Sequence, residues 1–165
     1  MLTLIPIKAD DIPAIARWPR YRGEHAQMDY ALRENGWLTT YWPVAGNVCF
    51  AAMAGVVCVG FSLLIQNGAG NAEFRTAVHP AHLGAGHGGE ILRRTLTIGF
   101  TEHNLKAITL IVRKNNPIAR RLYARHGFVI CGETTETIQG QVIDFFMMQI
   151  NRKNFTTGAK PCRKR

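Results

Sequence analysis

The stretch Asn116-Pro117-Ile118-Ala119-Arg120-Arg121-Leu122-Tyr123-Ala124-Arg125-His126-Gly127-Phe128 decides the fold, because it describes one helix with both of its ends. Asparagine followed by proline is a typical helix start, since the amide caps the first turn and proline fits the next position. Gly127 is typical of the residue just past a helix end. Asn116, Ala119 and Tyr123 share one face of this helix, where the small Ala119 leaves room for a ligand.

The elements around this helix follow from the pattern of apolar residues. An apolar run over 107–112 precedes it and predicts a strand that is covered on both faces. The other predicted strands cover 2–8, 47–53, 56–65, 72–79, 128–134 and 141–150, the last two joined near Gln139-Gly140. The other predicted helices cover 11–18, with Asp10 as N-cap, 24–34 and 89–103. This order is that of a mixed α/β domain.

The composition indicates one domain with a charged end. The chain has 165 residues, of which 47% are hydrophobic, and this excludes intrinsic disorder and a miniprotein that depends on disulfides. The formal net charge is +9, but residues 151–165 hold six basic residues and no acidic one. Residues 1–150 hold 14 basic and 11 acidic residues, a net charge of +3. We therefore predict a folded domain over 1–150 and a basic, flexible C-terminal tail over 151–165.

Cysteine usage predicts a reducing compartment and a cytoplasmic location. Cys49, Cys58 and Cys131 lie in apolar, strand-like runs and Cys162 lies in the tail. Their spacing contains no C-x-x-C, and no histidine follows at the distance of a zinc ligand. Buried free thiols are expected, with neither a disulfide nor a metal site.

Residues 47–65 are apolar enough to require a test for a membrane span. Between Glu34 and Glu73 the sequence has no charged residue, and 19 mostly apolar residues are long enough to cross a bilayer. However, Ala54-Gly55 interrupts the run where a hairpin would turn, and both halves are rich in strand-forming residues. Two buried antiparallel strands are therefore expected, without a membrane partner.

A glycine-rich segment, Leu83-Gly84-Ala85-Gly86-His87-Gly88-Gly89, lies between a predicted strand and a predicted helix. Glycines let successive backbone N–H groups converge, and the start of the helix adds unpaired N–H groups and the positive end of its dipole. The segment therefore predicts a phosphate or pyrophosphate site.

This segment alone does not identify the phosphate compound. Gly84 to Gly89 matches the dinucleotide pattern G-x-G-x-x-G, although Arg113-Lys114 follow the next strand where an acidic residue is expected. Basic residues at that point suit NADP, so an NADP-binding oxidoreductase remains an alternative. The sequence contains no G-x-x-x-x-G-K-[ST] and hence no Walker A loop.

Taken together, Val78-His79-Pro80, the glycine segment and residues 116–128 resemble the GNAT superfamily of acyl-coenzyme A-dependent N-acyltransferases. The loop pattern of that family, [Gln/Arg]-x-x-Gly-x-[Gly/Ala], falls on Leu83, Gly86 and Gly88, and Leu83 departs from its polar first position. The family pattern N-x-x-A-x-x-L-Y-x-x-x-G-F is matched at every fixed position. The resemblance covers residues 73–150 and implies a single mixed domain with a mostly antiparallel sheet flanked by helices.

The resemblance also implies a reaction and assigns residues to it. The implied activity is direct transfer of an acetyl group from acetyl-coenzyme A to a primary amine in a ternary complex, without a metal. Tyr123 has the family position of the acid that protonates the leaving thiolate, and the N–H of about Val78 would polarise the thioester carbonyl. The residues expected to bind acetyl-coenzyme A are Ala77, Val78, Leu83, Gly84, Gly86, His87, Gly88, Gly89, Asn116 and Ala119.

The general base is open. Glu73 is the carboxylate on the strand that leads to the glycine segment, and it is our first candidate for deprotonating the amine. The rivals are His79, Glu24, His25 and Asp29.

The sequence also does not identify the acceptor or any other partner. We expect an acceptor site in residues 24–45 and the last hairpin, where Trp37, Tyr41 and Trp42 either line the site or pack in the core. The acceptor is a small molecule, a peptide N-terminus or an aminoacyl group. A homodimer and nucleic-acid binding through the tail are further possibilities, and a non-enzymatic nucleic-acid-binding module is a third hypothesis for the whole chain.

Overall fold

A computed structural model describes residues 1–33 and 35–155, which form seven β-strands and four α-helices. The strands are β1 (Leu2–Pro6), β2 (Val48–Ala54), β3 (Val57–Gln66), β4 (Asn71–Val78), β5 (Ala107–Arg113), β6 (Val129–Ile138) and β7 (Gln141–Asn151). The α-helices are α1 (Asp11–Ala16), α2 (Trp37–Tyr41), α3 (His87–Thr101) and α4 (Pro117–Arg125). Short 3₁₀ helices cover Gly23–Leu32, Pro80–His82 and Arg152–Asn154.

The seven strands form one sheet in the order β1-β2-β3-β4-β5-β7-β6. The pairs β1–β2, β2–β3, β5–β7 and β6–β7 are antiparallel, and β4 pairs with β5 in parallel over Asn71–Glu73. This confirms the predicted mixed α/β class and the mostly antiparallel sheet. The chain divides into two compact units, the first containing residues 1–66 and 74–96, and the second containing residues 67–73 and those from 97 onward.

The first unit has apolar side chains on both faces of its strands. One cluster joins strand residues such as Phe61, Leu63 and Ala77 to Ile15, Trp18 and Leu38 of the N-terminal helical segments. The other joins Leu2, Ala52 and Val59 to Ile91 of α3. Burial of apolar surface against the strands therefore fixes both the helical segments before β2 and the helix that follows β4.

The second unit contains β5, β7, β6 and α4. The strands β6 and β7 form a hairpin whose turn residues Gln139 and Gly140 have φ values of 51° and 78°, as a tight turn of the type favoured in hairpins requires. At the end of α4 the N–H of Gly127 donates to the carbonyl of Ala124, and the N–H of Phe128 donates to that of Tyr123. These two bonds form a Schellman motif, which confirms the predicted role of Gly127.

The N-terminal half has the predicted strands but differs from the prediction in how α1 begins. Residues 47–65 form β2 and β3, as expected, and none of the described helices is long and apolar enough to cross a membrane. Asp10 occupies the N-cap position of α1, as predicted, but its side chain makes no capping hydrogen bond. The carboxylate of the neighbouring Asp11, the first residue of α1, accepts from the N–H of Lys8 at 2.7 Å and so binds the chain just before the helix.

The structure also corrects the prediction for one helix and the predicted burial of the cysteines. The segment predicted as an α-helix over 24–34 is a 3₁₀ helix over Gly23–Leu32. Buried thiols were expected; Cys49 is buried, Cys58 is half-buried and Cys131 is exposed. Cys131 lies in the edge strand β6, where the ladder is irregular between Ile130 and Gly132. The fourth cysteine, Cys162, lies outside the described residues.

The predicted tail begins within the described part of the chain. Asn151 ends β7, and the backbone N–H of Arg152 donates to the carbonyl of Lys106 at 3.0 Å. The Arg152 side chain donates to the carbonyl of Leu105 at 3.0 Å, and the ring of Phe155 lies 5.0 Å from that of Phe100. Residues 151–155 are therefore joined to the second unit by these contacts, and the rest of the tail predicted over 151–165 lies outside the described residues.

Candidate functional site

The last residues of β4 present main-chain groups on the side of the strand that faces away from β3. The N–H of His79 donates to the carbonyl of Val59 in β3 at 2.8 Å. Since the peptide groups of a strand point alternately to its two sides, the N–H and C=O of Val78 point away from β3. The carbonyl of Val78 accepts a hydrogen bond from the hydroxyl of Tyr21, and its N–H points to the same side.

The glycine segment forms an open backbone cradle at the start of α3. Gly84 and Gly86 have φ values of +80° and +83°, a conformation that side-chain-bearing residues rarely adopt. A Cβ added to either glycine would have nothing within 4 Å, so the space beside both is open. The first N–H groups of α3, from His87 on, have no partner within the helix by its geometry. The cradle therefore suits a diphosphate, as predicted from the sequence.

One carboxylate lies in the first turn of α3, and arginines neutralise it. Glu90 accepts from Arg93 at 2.8 Å and from Arg94 at 2.6 Å. The hydrogen bond from Arg93, with help from Arg94, lowers the pKa of Glu90. With two guanidinium groups beside one carboxylate, this turn remains favourable for an anion.

Three histidines and a tryptophan form a row of rings beside the cradle. The ring of Trp18 lies 4.8 Å from that of His79, which lies 5.1 Å from His82, which in turn lies 6.1 Å from His87. His79 Nδ1 accepts from the N–H of Ala81 at 3.0 Å. Burial, and then the charge of His82, lowers the pKa of His79. A neutral His79 that uses one nitrogen as an acceptor is held in place as part of the wall of the loop.

In the second unit, α4 presents the predicted face. Asn116 caps the helix, since its Oδ1 accepts from the N–H of Ala119 at 3.1 Å. Asn116, Ala119 and Tyr123 are all half-buried, whereas Ile118 on the opposite side is 65% exposed. The cap uses the amide oxygen and leaves the two N–H donors of Asn116 outside this bond. The helix thus brings the three predicted residues to one side.

The phenol of Tyr123 is protected from titration. Its ring lies 6.0 Å from that of Phe128 in an edge-to-face arrangement, which is anchored by the Schellman turn. Burial raises the pKa of Tyr123 to about 12. The hydroxyl is therefore protonated throughout the physiological range, so Tyr123 is a donor and not a base.

Two of the candidate bases, Glu73 and Asp29, differ in their surroundings. Glu73 is half-buried in β4 and stands in register with Thr109 of β5, inside the second unit. Asp29 accepts from Arg33 at 2.7 Å and from Arg20 at 2.7 Å, and chiefly the bond from Arg33 lowers its pKa. A carboxylate with a lowered pKa is a weaker base, which disfavours Asp29 for proton abstraction.

The remaining rival bases are less restrained. Glu24 lies 3.6 Å from the Nε2 of His25, and both side chains are largely exposed. They lie in the first turn of the 3₁₀ helix. The contact between them joins two neighbouring residues and gives no support for a role at the end of β4.

Two of the three predicted aromatic acceptor residues lie against an arginine. The guanidinium carbon of Arg75 in β4 lies 5.2 Å from the ring centroid of Trp37 and 5.0 Å from that of Tyr41. Trp37, Tyr41 and Trp42 are partly buried against the apolar cluster of the first unit. They are therefore packing residues, and the first two also stabilise a cation.

Sequence reasoning missed Tyr21, which joins the N-terminal segment to β4. Tyr21 is buried, and its contact with Val78 spans 57 positions of sequence. No local pattern marks it, because its neighbours Arg20 and Arg22 are exposed and the segment is neither a helix nor a strand.

The absence of a metal stays a prediction. Residues 1–33 and 35–155 contain no group of three or more histidine, cysteine or acidic residues arranged to hold a metal ion.

The first unit thus holds a strand end with an outward N–H group and a glycine cradle at a helix start, and the second unit holds a capped helix that bears a tyrosine. Residues 12–128 match the acetyltransferase (GNAT) family, and the chain belongs to that family. This confirms the resemblance found in the sequence.

Individual relatives are similar to the chain over different lengths. A segment of 87 residues is 36% identical to a spermidine N(1)-acetyltransferase of Vibrio cholerae, and it covers 52% of this chain and 50% of the relative. The chain thus matches about half the length of that curated relative. A crystal structure of spermidine N-acetyltransferase from the same organism with CoA and spermine has a TM-score of 0.77 and 26% identity, over 93% of this chain and 96% of that one.

A more distant structure shows the breadth of the fold. A GNAT acetyltransferase of Streptococcus pneumoniae has a TM-score of 0.70 at 18% identity, covering 92% of this chain and 99% of that one. This likeness concerns the fold alone.

Proposed function

We propose that the protein transfers the acetyl group of acetyl-coenzyme A to a primary amine by direct attack. The observation that carries the proposal is the cradle of Gly84 and Gly86 at the start of α3, next to the outward N–H of Val78. Membership of the acetyltransferase family and the likeness to an acetyltransferase structure containing CoA support it. An oxidoreductase and a purely nucleic-acid-binding protein have no such support.

The first unit supplies the groups that hold and polarise the thioester. The N–H groups of the cradle from Gly84 to Gly89 would bind the diphosphate, and the main chain near Ala77 and Val78 would pair with pantetheine. The N–H of Val78 would donate to the thioester oxygen and stabilise the negative charge that grows there during attack. Leu83 would take part only through its backbone, since its side chain is apolar and 38% exposed.

In the second unit Tyr123 would act at the sulfur. The amine nitrogen forms a bond to the acetyl carbon, the carbon–sulfur bond breaks, and the sulfur takes up a proton. Tyr123 carries its proton at every physiological pH and can donate it, or a hydrogen bond, to the departing sulfur. The α4 residues Asn116 and Ala119 would bind the coenzyme beside it.

Glu73 would accept the proton that the amine must lose, either directly or through water. This proposal rests on its position in β4 and on the restraint of the rival Asp29 by two arginines. A Glu73→Gln variant should retain binding of acetyl-coenzyme A and lose turnover most strongly at low pH, where fewer amine molecules are already neutral.

The relatives suggest which acceptors to test first. The proteins similar to this chain are named for spermidine, and one structure contains spermine. We propose a small amine as the acceptor and include polyamines, aminoglycosides, peptide N-termini and aminoacyl groups in the screen. Release of the coenzyme thiol that depends on one of these amines would identify the acceptor.

A pair of glycine variants tests the cradle with a matched control. Gly86 and Gly140 have φ values of +83° and +78°, and a Cβ at either position has open space around it. Gly86→Ala and Gly140→Ala should therefore carry a similar backbone cost of about 1–2 kcal/mol. Only Gly86→Ala should weaken acetyl-coenzyme A binding in calorimetry, by about tenfold or more, because it changes the direction of the cradle N–H groups. Equal affinities in the two variants, or stabilisation of the parent by NADPH alone, would contradict the proposal.

Two partner predictions stay proposals with their own tests. A second copy of the chain could cover the exposed apolar residues of the β6–β7 hairpin, Val129, Ile130 and Val142. Light scattering of a Val142→Lys variant against the parent tests this pairing. If the tail binds nucleic acid, retention must fall steeply with salt and disappear when residues 156–165 are removed. The cytoplasmic location stays a prediction from cysteine usage.

A further inference from the structure

Tyr21, which lies outside the sheet, binds the last residue of β4, Val78. Its hydroxyl donates to the carbonyl of Val78, and the peptide that carries this carbonyl also carries the N–H of His79. That N–H donates to Val59 at 2.8 Å. The peptide between Val78 and His79 is therefore fixed from both sides, by β3 on one side and by a phenol on the other.

This restraint bears on the group that would polarise the thioester. The N–H and C=O of Val78 point to the same side of the strand, one on each side of its Cα. The N–H belongs to the Ala77–Val78 peptide and the C=O to the Val78–His79 peptide, and the two planes meet at the Cα of Val78. Holding the carbonyl fixes one of these peptides and the position of the shared Cα, and so limits the directions that the N–H of Val78 can take.

A polar clasp holds Tyr21 itself. The backbone N–H of Tyr21 donates to Asp29 Oδ1 at 3.1 Å. The other oxygen of Asp29 accepts from Arg20 at 2.7 Å and from Arg33 Nε at 3.0 Å. Arg33 also donates to the carbonyls of Ala16 and Trp18, each at 2.9 Å. One arginine and one aspartate thus tie the turn that carries Tyr21 to the segments on both sides of it.

We propose that Tyr21 is a positioning residue for acetyl transfer, which orients the Val78 N–H toward the thioester by holding the Val78 carbonyl. The inference rests on the proposed function for its catalytic consequence, whereas its structural part concerns β4 alone. Tyr21 precedes residues 24–45, where we expect part of the acceptor site. The same hydrogen bond therefore joins the segment that leads into those residues to the strand that would present the thioester.

The chemistry of the phenol suits this role. Burial raises the pKa of Tyr21 well above its usual range, so the group is a neutral donor at any working pH. The ring is buried in the apolar cluster with Trp18 and Phe61 and cannot turn away without exposing that surface. Phenylalanine would keep the ring in the cluster and remove only the hydrogen bond to Val78.

The test compares Tyr21→Phe with Ser62→Ala. Ser62 is fully buried and its hydroxyl bonds to that of Thr95 at 2.7 Å, so this control also loses one buried hydroxyl bond in the first unit, without touching Val78. With the acceptor found in the amine screen, Tyr21→Phe should lower kcat by about tenfold. Its KM for acetyl-coenzyme A should stay within about twofold, because the cradle is unchanged.

A second readout does not depend on turnover. Amide hydrogen exchange of His79 should be about tenfold faster in Tyr21→Phe than in the parent and unchanged in Ser62→Ala. Asp29→Asn keeps the phenol and loosens the clasp, so it should shift both readouts in the same direction by a smaller factor. High salt should restore neither kcat nor the slow exchange of the His79 amide in Tyr21→Phe, since the bond to Val78 joins neutral groups.

The outcomes separate this inference from the proposed function. A parent protein that acetylates no amine would overturn the proposed function, and the exchange of His79 would still decide whether Tyr21 restrains β4. A Tyr21→Phe variant with parental kcat, or with parental exchange at His79, would overturn the positioning role. Equal losses of kcat in Tyr21→Phe and Ser62→Ala would show a general structural effect and overturn it as well.

Discussion

Replacing Tyr123 by phenylalanine should change how the stability of the protein depends on alkaline pH. The ordinary pKa of tyrosine is 10.0, and burial raises that of Tyr123 to about 12. In the unfolded chain the phenol ionises near pH 10, whereas in the folded chain it keeps its proton to about pH 12. Between these values the folded state binds more protons than the unfolded state, so the free energy of unfolding falls as pH rises.

The size of the effect follows from the two pKa values. A difference of about two corresponds to ~2.7 kcal/mol of stability that is present below pH 10 and lost by pH 12. About half of it, ~1.4 kcal/mol, should be lost by pH 11. Tyr123→Phe lacks the ionising group and should not show this part of the decline.

Urea unfolding of the parent and of Tyr123→Phe at pH 8, 9, 10 and 11 measures the difference directly. Tyr21 also has a pKa raised by burial, but it is present in both proteins and its contribution cancels. The gap in unfolding free energy between the two proteins should shift by ~1.4 kcal/mol in favour of the variant from pH 8 to pH 11. A gap that stays constant to within about 0.3 kcal/mol would show that the phenol titrates normally and would refute the argument.

Two further substitutions test local packing. Asn116→Ala should lower the free energy of urea unfolding by about 1 kcal/mol because α4 loses its cap, while Asn116→Asp should retain most of it; equal losses would show that the cap does not matter. Gly60→Ala should destabilise by about 1–3 kcal/mol, since a Cβ there would lie 2.7 Å from Ile91 Cδ1 and 2.8 Å from the carbonyl of Ala77. Thermal denaturation of Gly60→Ala with a parental Tm would contradict this packing.

The parts of the fold that the sequence predicted well are those with local signals. The α4 helix carries its start, its end and its face within 13 residues, and its cap and Schellman turn form as the pattern indicated. The glycine segment is similar, because positive φ values at Gly84 and Gly86 depend on the residues themselves. Local chemistry is sufficient where the partners are neighbours in the chain.

The N-terminal segment was predicted less well because its structure depends on distant partners. Residues 24–34, predicted as an α-helix, have no clear apolar face. Gly23–Leu32 fold as a 3₁₀ helix, and the following Arg33 donates to the carbonyls of Ala16, Trp18 and Pro19. The bond from Tyr21 to Val78 likewise joins residues far apart in sequence. Such contacts exist only once the strands have assembled, so no window of sequence contains them.

The guanidinium group of Arg75 already lies against the ring faces of Trp37 and Tyr41. An ammonium group brought to these faces meets a guanidinium already in place, and each cation–π contact that it displaced would cost about 0.5–1 kcal/mol. The rings therefore offer least to a ligand that brings a second positive charge. Binding of a cation at these ring faces is opposed by repulsion, because one arginine already lies against both of them.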